Sequence, residues 1–181
     1  MDRDAPLLAA PFLAASSQDD TEALERLYLR HRHDVYRIAL RYGGGRSGWA
    51  EDVVQDVFMR LGRALPGLED RGALMGWLYR VTTRRCLNRL ESERVRALFR
   101  LRAPKTEPLA PSTEAIVEAQ QALAATLQTL ETLPPKERVA FAMHRLDGMT
   151  MDEIGAVMGH KKSYVCRLIA RAEARLREVL K

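Results

Sequence analysis

Thr150-Met151-Asp152-Glu153-Ile154-Gly155-Ala156-Val157-Met158-Gly159-His160-Lys161-Lys162-Ser163-Tyr164-Val165-Cys166-Arg167-Leu168 is the stretch whose reading decides the fold. Thr150 and Glu153 have the spacing of a capping box, in which a hydroxyl and a carboxylate satisfy two orphan backbone donors reciprocally, so a short helix starts there. It contributes Ile154, Gly155 and Met158, Gly159 makes the turn, and Val165 with Leu168 supplies the apolar contacts of a second, longer helix. A small residue in the first helix and glycine at the turn are the marks of a helix-turn-helix. Lys161 and Lys162 stand at the positive end of the second helix, where a cation is unfavourable by about 0.3–1 kcal/mol. Phosphate oxygens meeting the helix start would offset that cost. Arg167 and Arg171 follow one turn apart on a face away from Val165 and Leu168, which suits major-groove contact. A solvated basic face is the plainer alternative.

Working back towards the N-terminus, Asp147-Gly148 is a helix stop, and Pro135 suits the first turn of the helix it ends. An earlier helix carries Ile116, Leu123, Leu127 and Leu130 and is closed by Pro134. Pro104, Pro108 and Pro111 fall in 101–113, a segment without period, which reads as an extended linker. A helix is expected from about Gly72 to about Arg100. Its Leu74, Leu78, Tyr79 and Val81 suggest a buried side, which Arg85 and Arg89 interrupt. Another is expected over 50–62, with Val53, Val54, Val57, Phe58 and Leu61 on its apolar side. A first helix runs from Asp19 to Tyr42, capped by Asp19 or Asp20, with Leu24, Leu27, Tyr28, His31, Val35, Ile38, Ala39 and Tyr42 on one face. Gly43 to Gly48 has the glycine spacing of a phosphate-binding loop, but Trp49 stands where a lysine must reach phosphate, so this is a helix connection. Residues 1–18 read as a mobile tail. With no strand pattern and no internal repeat, the chain is expected to be all-α, with two small helical domains, 19–100 and 114–181, joined by the proline-rich linker.

The 181 residues are 46% hydrophobic and 29% charged, a globular composition. Of the 29 basic residues 24 are arginine, the side chain that forks onto phosphate and guanine. Leu74 to Arg102 holds eight arginines against two glutamates, and His160 to Lys181 is also strongly basic, whereas 50–70 and 103–159 are net acidic. This alternation is an electrostatic footprint for nucleic acid plus a second partner. Cys86 and Cys166 show no metal-ligand spacing and suggest no disulfide framework. The longest apolar stretch, Leu7 to Ala15, is broken by Pro11 and follows an acidic start, so neither export nor a membrane span is expected. His31 and His33, two apart on a helix, point to different faces and cannot share a metal. No convergent set of polar groups suggests catalysis, so no catalytic residue, metal, cofactor or small-molecule substrate is expected.

Two further faces stand out. Asp52, Gln55, Asp56 and Met59 share the side of their helix opposite Val53 and Val57; the face is either solvated or a protein-docking surface, and its segregation from the basic regions favours docking. Trp77, Arg80, Arg84 and Asn88 line a face that joins an aromatic to cations, the equipment for stacking on unpaired bases, although a tryptophan at the start of an amphipathic helix serves a core equally well.

Ala50-Glu51-Asp52-Val53-Val54-Gln55-Asp56-Val57-Phe58, then Gly76-Trp77-Leu78-Tyr79-Arg80-Val81, then Leu133-Pro134-Pro135 and Asp147-Gly148-Met149-Thr150-Met151-Asp152-Glu153-Ile154-Gly155 resemble, in order and spacing, bacterial sigma factors of the extracytoplasmic-function (ECF) group. The likeness covers about 20–96 as region 2 and 114–180 as region 4. It implies a non-enzymatic initiation factor that directs core RNA polymerase to promoter DNA. Asp52, Gln55, Asp56 and Met59 would then dock on the clamp of the polymerase's largest subunit. Trp77, Arg80, Arg84 and Asn88 would open and read the minus-10 element. Lys161, Lys162, Tyr164, Cys166, Arg167, Ala170 and Arg171 would meet the minus-35 element. The family commonly has an anti-sigma partner, which could hold a cytoplasmic factor at the membrane. Arg84 stands where many members carry Asn, His160 replaces an aliphatic residue at the turn, and Leu168 replaces a common Arg. A dimeric helix-turn-helix regulator without polymerase, and a sigma-like adaptor that sequesters an anti-sigma protein, are the alternatives. The first has no need of the Asp52 face or the Trp77 helix, and the retained basic helix argues against the second.

Overall fold

The computed structural model describes residues 18–64, 72–99 and 129–179. Within them lie six helices: α1 Gln18–Tyr42, α2 Ser47–Ala64, α3 Gly72–Phe99, α4 Pro135–Arg145, α5 Met151–Met158 and α6 Lys162–Val179. The described residues contain no strand. The expected tail up to residue 17, the linker 101–113 and most of the helix through Ile116, Leu123 and Leu127 lie outside the described residues. α1 begins at Gln18, so Asp19 and Asp20 fall within it instead of ahead of it.

The apolar stripes are buried largely as the periodicity requires. Leu24, Tyr28, Val35, Ile38 and Ala39 of α1, Val53, Val54, Val57, Phe58 and Leu61 of α2, and Leu74 and Leu78 of α3 are all buried, with Trp49 beside them in α2. Tyr28 meets Phe58 edge-on, ring centroids 5.0 Å apart, the arrangement that aromatic quadrupoles prefer. On α3 the buried arc differs from expectation. It runs Leu74, Leu78, Thr82, Cys86, Leu90, and Val81 and Tyr79 are only half-buried. Thr82 can occupy this arc because its hydroxyl donates to the Leu78 carbonyl one turn back, at 2.6 Å, and so goes into the interior satisfied. Arg85, which seemed to spoil the stripe, pairs with Asp56 of α2.

The chain divides into two compact units, one built from residues up to Ala39 and from Ser47–Arg85, the other from Leu40–Arg46 and from Cys86 onward. Within the second unit, Tyr42 donates its hydroxyl to Asp147 at 3.1 Å, and Arg41 pairs with the other Asp147 oxygen at 2.6 Å. Arg138 donates to the Tyr42 carbonyl at 3.2 Å and to the Glu131 carbonyl at 2.7 Å, capping the orphan C-terminal end of α1. Burial lowers the Arg138 guanidinium to about 10, while the nearby Glu131 carboxylate works the other way.

Candidate nucleic-acid and docking faces

α4, α5 and α6 pack on one another around Val139, Ala142, Met143, Ile154, Val165, Leu168 and Ile169. Leu130, Leu133 and Ala172 extend this core, with Phe141 and Leu176 against them. Pro135 opens α4 in its first turn. α4 closes where the Met149 N–H returns to the Met143 carbonyl at 3.0 Å, across Gly148.

The capping box forms as its spacing requires. The Thr150 hydroxyl accepts from the Glu153 N–H at 3.3 Å, and the Glu153 carboxylate accepts from the Thr150 N–H at 2.8 Å and from its hydroxyl at 2.7 Å. Those bonds favour the ionised form and hold the Glu153 carboxyl below its usual range. Gly159 ends α5 at φ +71°, a left-handed backbone that a Cβ would strain. The chain then turns over α5 so closely that a Cβ on Gly155 would sit 2.6 Å from the His160 carbonyl oxygen. The His160 N–H bonds the Gly155 carbonyl at 2.9 Å, so the small residue and the turn glycine together set how α6 leaves α5.

α6 is sharply two-sided. Val165, Leu168, Ile169 and Ala172 are buried, while Lys161 just ahead of the helix and Lys162, Cys166, Arg167, Ala170 and Arg171 along it are exposed. Tyr164 is half-buried. Its ring lies 4.5 Å from that of His160, and the Arg167 guanidinium sits 5.8 Å from its centroid. The departing residue at the turn thus supports the aromatic that carries Arg167. Lys162 is paired with Asp152 at 2.7 Å, which raises its pKa through that hydrogen bond and the charge behind it. Asp152 thereby supplies for Lys162 an anion at the helix start, a role the sequence reading gave to phosphate. Cys166 is a free, exposed thiol whose sulfur is 3.5 Å from that of Met151. Arg171 lies 3.2 Å from the buried Glu137 carboxylate of α4. Glu137, Asp152 and Arg175 went unrecognised in the sequence, because no local spacing links α4 or α5 to α6.

The other two faces lie within single helices. Arg80, Arg84 and Asn88 are exposed on α3 and Trp77 is half-buried, neither sunk in the core nor free of it. On α2, Asp52 is exposed, and Gln55, Asp56 and Met59 are half-buried, with Asp56 held by Arg85. Arg85 is a member of this site that the sequence left as an interruption. Among the described residues no three His, Cys, Asp or Glu side chains converge as a metal site would need. No described helix is long and apolar enough to cross a membrane.

The family model for Sigma-70 region 2 matches residues 27–96, and that for Sigma-70 region 4 matches 123–176. The ECF RNA polymerase sigma factor SigE of Mycolicibacterium smegmatis is 32% identical over 182 residues, an overlap covering 98% of this chain and 69% of SigE. Among solved structures, the sigma factor RpoE in complex with the anti-sigma factor NepR from Bartonella quintana is similar in fold, with a TM-score of 0.60 at 16% identity over 88% of this chain and 97% of RpoE. CnrH in complex with the cytosolic domain of CnrY gives 0.55 at 26% identity over 99% of this chain and 97% of CnrH. With two sigma-70 regions matched in order, and a sigma factor of this group related across nearly the whole chain, the protein belongs to the ECF group of the sigma-70 family, the factors that bind core RNA polymerase and direct promoter-specific initiation.

Proposed function

We propose that this sigma factor divides its work among the three faces described above and performs no covalent chemistry of its own. The α2 face of Asp52, Gln55, Asp56 and Met59 docks on the clamp of the polymerase's largest subunit. The α3 face of Trp77, Arg80, Arg84 and Asn88 receives the opened minus-10 strand, with the half-buried tryptophan as stacking platform and the arginines tracking phosphate. The α6 face reads the minus-35 element, Lys161 and Lys162 on phosphates and Arg167 and Arg171 on base edges, with Tyr164, Cys166 and Ala170 between them. The first two faces serve a functional domain of about 19–100 and the third one of about 114–181, and the factor acts in the bacterial cytoplasm. The observation that carries this reading is the two-sidedness of α6. Six of the seven minus-35 residues are exposed, opposite a continuous buried stripe, behind a capped α5 and a glycine turn.

A salt titration of promoter binding by the polymerase complex tests the division of labour on α6. Lys161→Ala should weaken binding about equally on all sequences and reduce the salt slope by roughly one unit. Arg167→Ala should cost about 1–3 kcal/mol, chiefly on the preferred sequence. Uniform loss from both variants would make the arginine a phosphate clamp and refute base readout by it.

An inhibitory protein partner is the other part of the proposal. The family commonly has one, and CnrH is held by the cytosolic domain of a second protein. An anti-sigma protein of this kind would place the factor at the membrane although no described helix spans one. Co-purification of the chain from its own cells with a single inhibitory protein is the expected result.

A further inference from the structure

Glu137 stands in the first turn of α4, and only 7% of its side chain is exposed. Its two carboxylate oxygens are divided between successive turns of α6. One is 3.2 Å from Nε of Arg171, and the other accepts from Nε of Arg175 at 3.0 Å. A carboxylate that grips a guanidinium fork to fork occupies its terminal nitrogens. Here the approach is through Nε on both, and the two arginine side chains remain 54% and 55% exposed. The anchor itself is fixed, because it is buried and sits at the positive end of α4, where a carboxylate is favoured. Arg167, Arg171 and Arg175 recur at four-residue steps along α6, and all three are exposed.

We propose that Glu137 is a positioning residue of the minus-35 reader. It presets the Arg171 guanidinium for base readout, while its second oxygen holds Arg175 beside it. The inference rests on the assignment of α6 to the minus-35 element. An arginine that is ordered before DNA arrives loses less freedom on binding, and the gain falls on the sequence that fits its fixed orientation. The carboxylate also neutralises part of the charge of the row, which restrains binding to arbitrary DNA. A plain staple between α4 and α6 would do neither. Its loss would weaken binding to every sequence alike.

The experiment uses the full chain assembled with core polymerase. Wild type first selects a preferred duplex from a pool randomised at the minus-35 position. Affinity for that duplex and for a shuffled one is then measured for Glu137→Ala, Glu137→Gln, Arg171→Ala and the double variant Glu137→Ala with Arg171→Ala. Glu137→Ala should lower the preferred-to-shuffled ratio about tenfold while binding to shuffled DNA holds or tightens. Glu137→Gln keeps one acceptor oxygen and should lower the ratio less. In that ratio the double variant should match Arg171→Ala alone, because residues acting through one another are not additive. Equal loss on both duplexes, or an additive double variant, overturns the proposal. If Arg171→Ala changes the preference and neither Glu137 variant does, positioning fails and the minus-35 assignment stands. If Arg171→Ala leaves the preference intact, both fail. Should Glu137→Ala not fold, judged by its melting transition, the isosteric Glu137→Gln decides the same comparison.

Discussion

At Glu153 one carboxylate closes the capping box of α5, and its titration is a direct report on the helix-turn-helix. An unfolded glutamate titrates at about 4.3. The bonds from Thr150 hold the folded carboxyl lower. Its contribution is therefore fully present above the unfolded value and is lost as pH falls through the folded one. Glu173, also held low by the Arg145 hydrogen bond, shares that window, so a comparison is needed. Thermal melts of wild type and Glu153→Gln between pH 7 and 3 should show the wild type falling more steeply at the acid end; parallel curves would mean that the box adds nothing. Gly155 offers a second check, independent of charge. Because the His160 carbonyl oxygen would lie 2.6 Å from a new Cβ, Gly155→Ala should destabilise by about 1–3 kcal/mol in denaturant titration. That glycine was legible in the sequence because a helix-turn-helix fixes its place relative to the turn. Glu137 was not, since its partners Arg171 and Arg175 lie more than thirty residues away and no local period joins them.

Helices with a strong apolar stripe on one side were readable, and α2 is the clearest: its expected apolar residues Val53, Val54, Val57, Phe58 and Leu61 are all buried. α3 was readable as a helix but not in its faces. Its interior arc is built partly of Thr82 and Cys86, and polarity alone cannot reveal that a threonine hydroxyl is satisfied by its own helix. The same helix supplies Arg85 to Asp56, so the α2 face proposed for docking also has a structural role. Asp52→Arg is chosen to test docking, because Asp56→Arg would set two guanidiniums against each other. Asp52→Arg should weaken capture of core polymerase about tenfold, the weight of about 1.4 kcal/mol, and leave the helical circular dichroism unchanged. Capture at wild-type strength would show that another face docks.

At the scale of the molecule, polar contacts of long sequence separation were the least legible feature of the chain. Tyr42, Arg41 and Asp147 form one such knot, 105 residues apart along the sequence for the tyrosine bond. The Asp147 carboxylate is only 10% exposed, so Asp147→Ala removes an acceptor from a buried hydroxyl and a half-buried guanidinium and should cost about 1–3 kcal/mol in a denaturant titration. An unchanged midpoint would remove this knot from the forces that hold the second unit together. One chain is proposed to carry two separate promoter-reading faces, α3 and α6. In vitro transcription with core polymerase, this chain and a template pool randomised at both the minus-10 and minus-35 positions tests it most directly. The transcripts should reveal two preferred elements. Trp77→Ala with Arg84→Ala should erase the preference at minus-10 alone, and Arg167→Ala with Arg171→Ala the preference at minus-35 alone. Loss of both preferences from either pair, or transcripts that do not depend on the added chain, would contradict it.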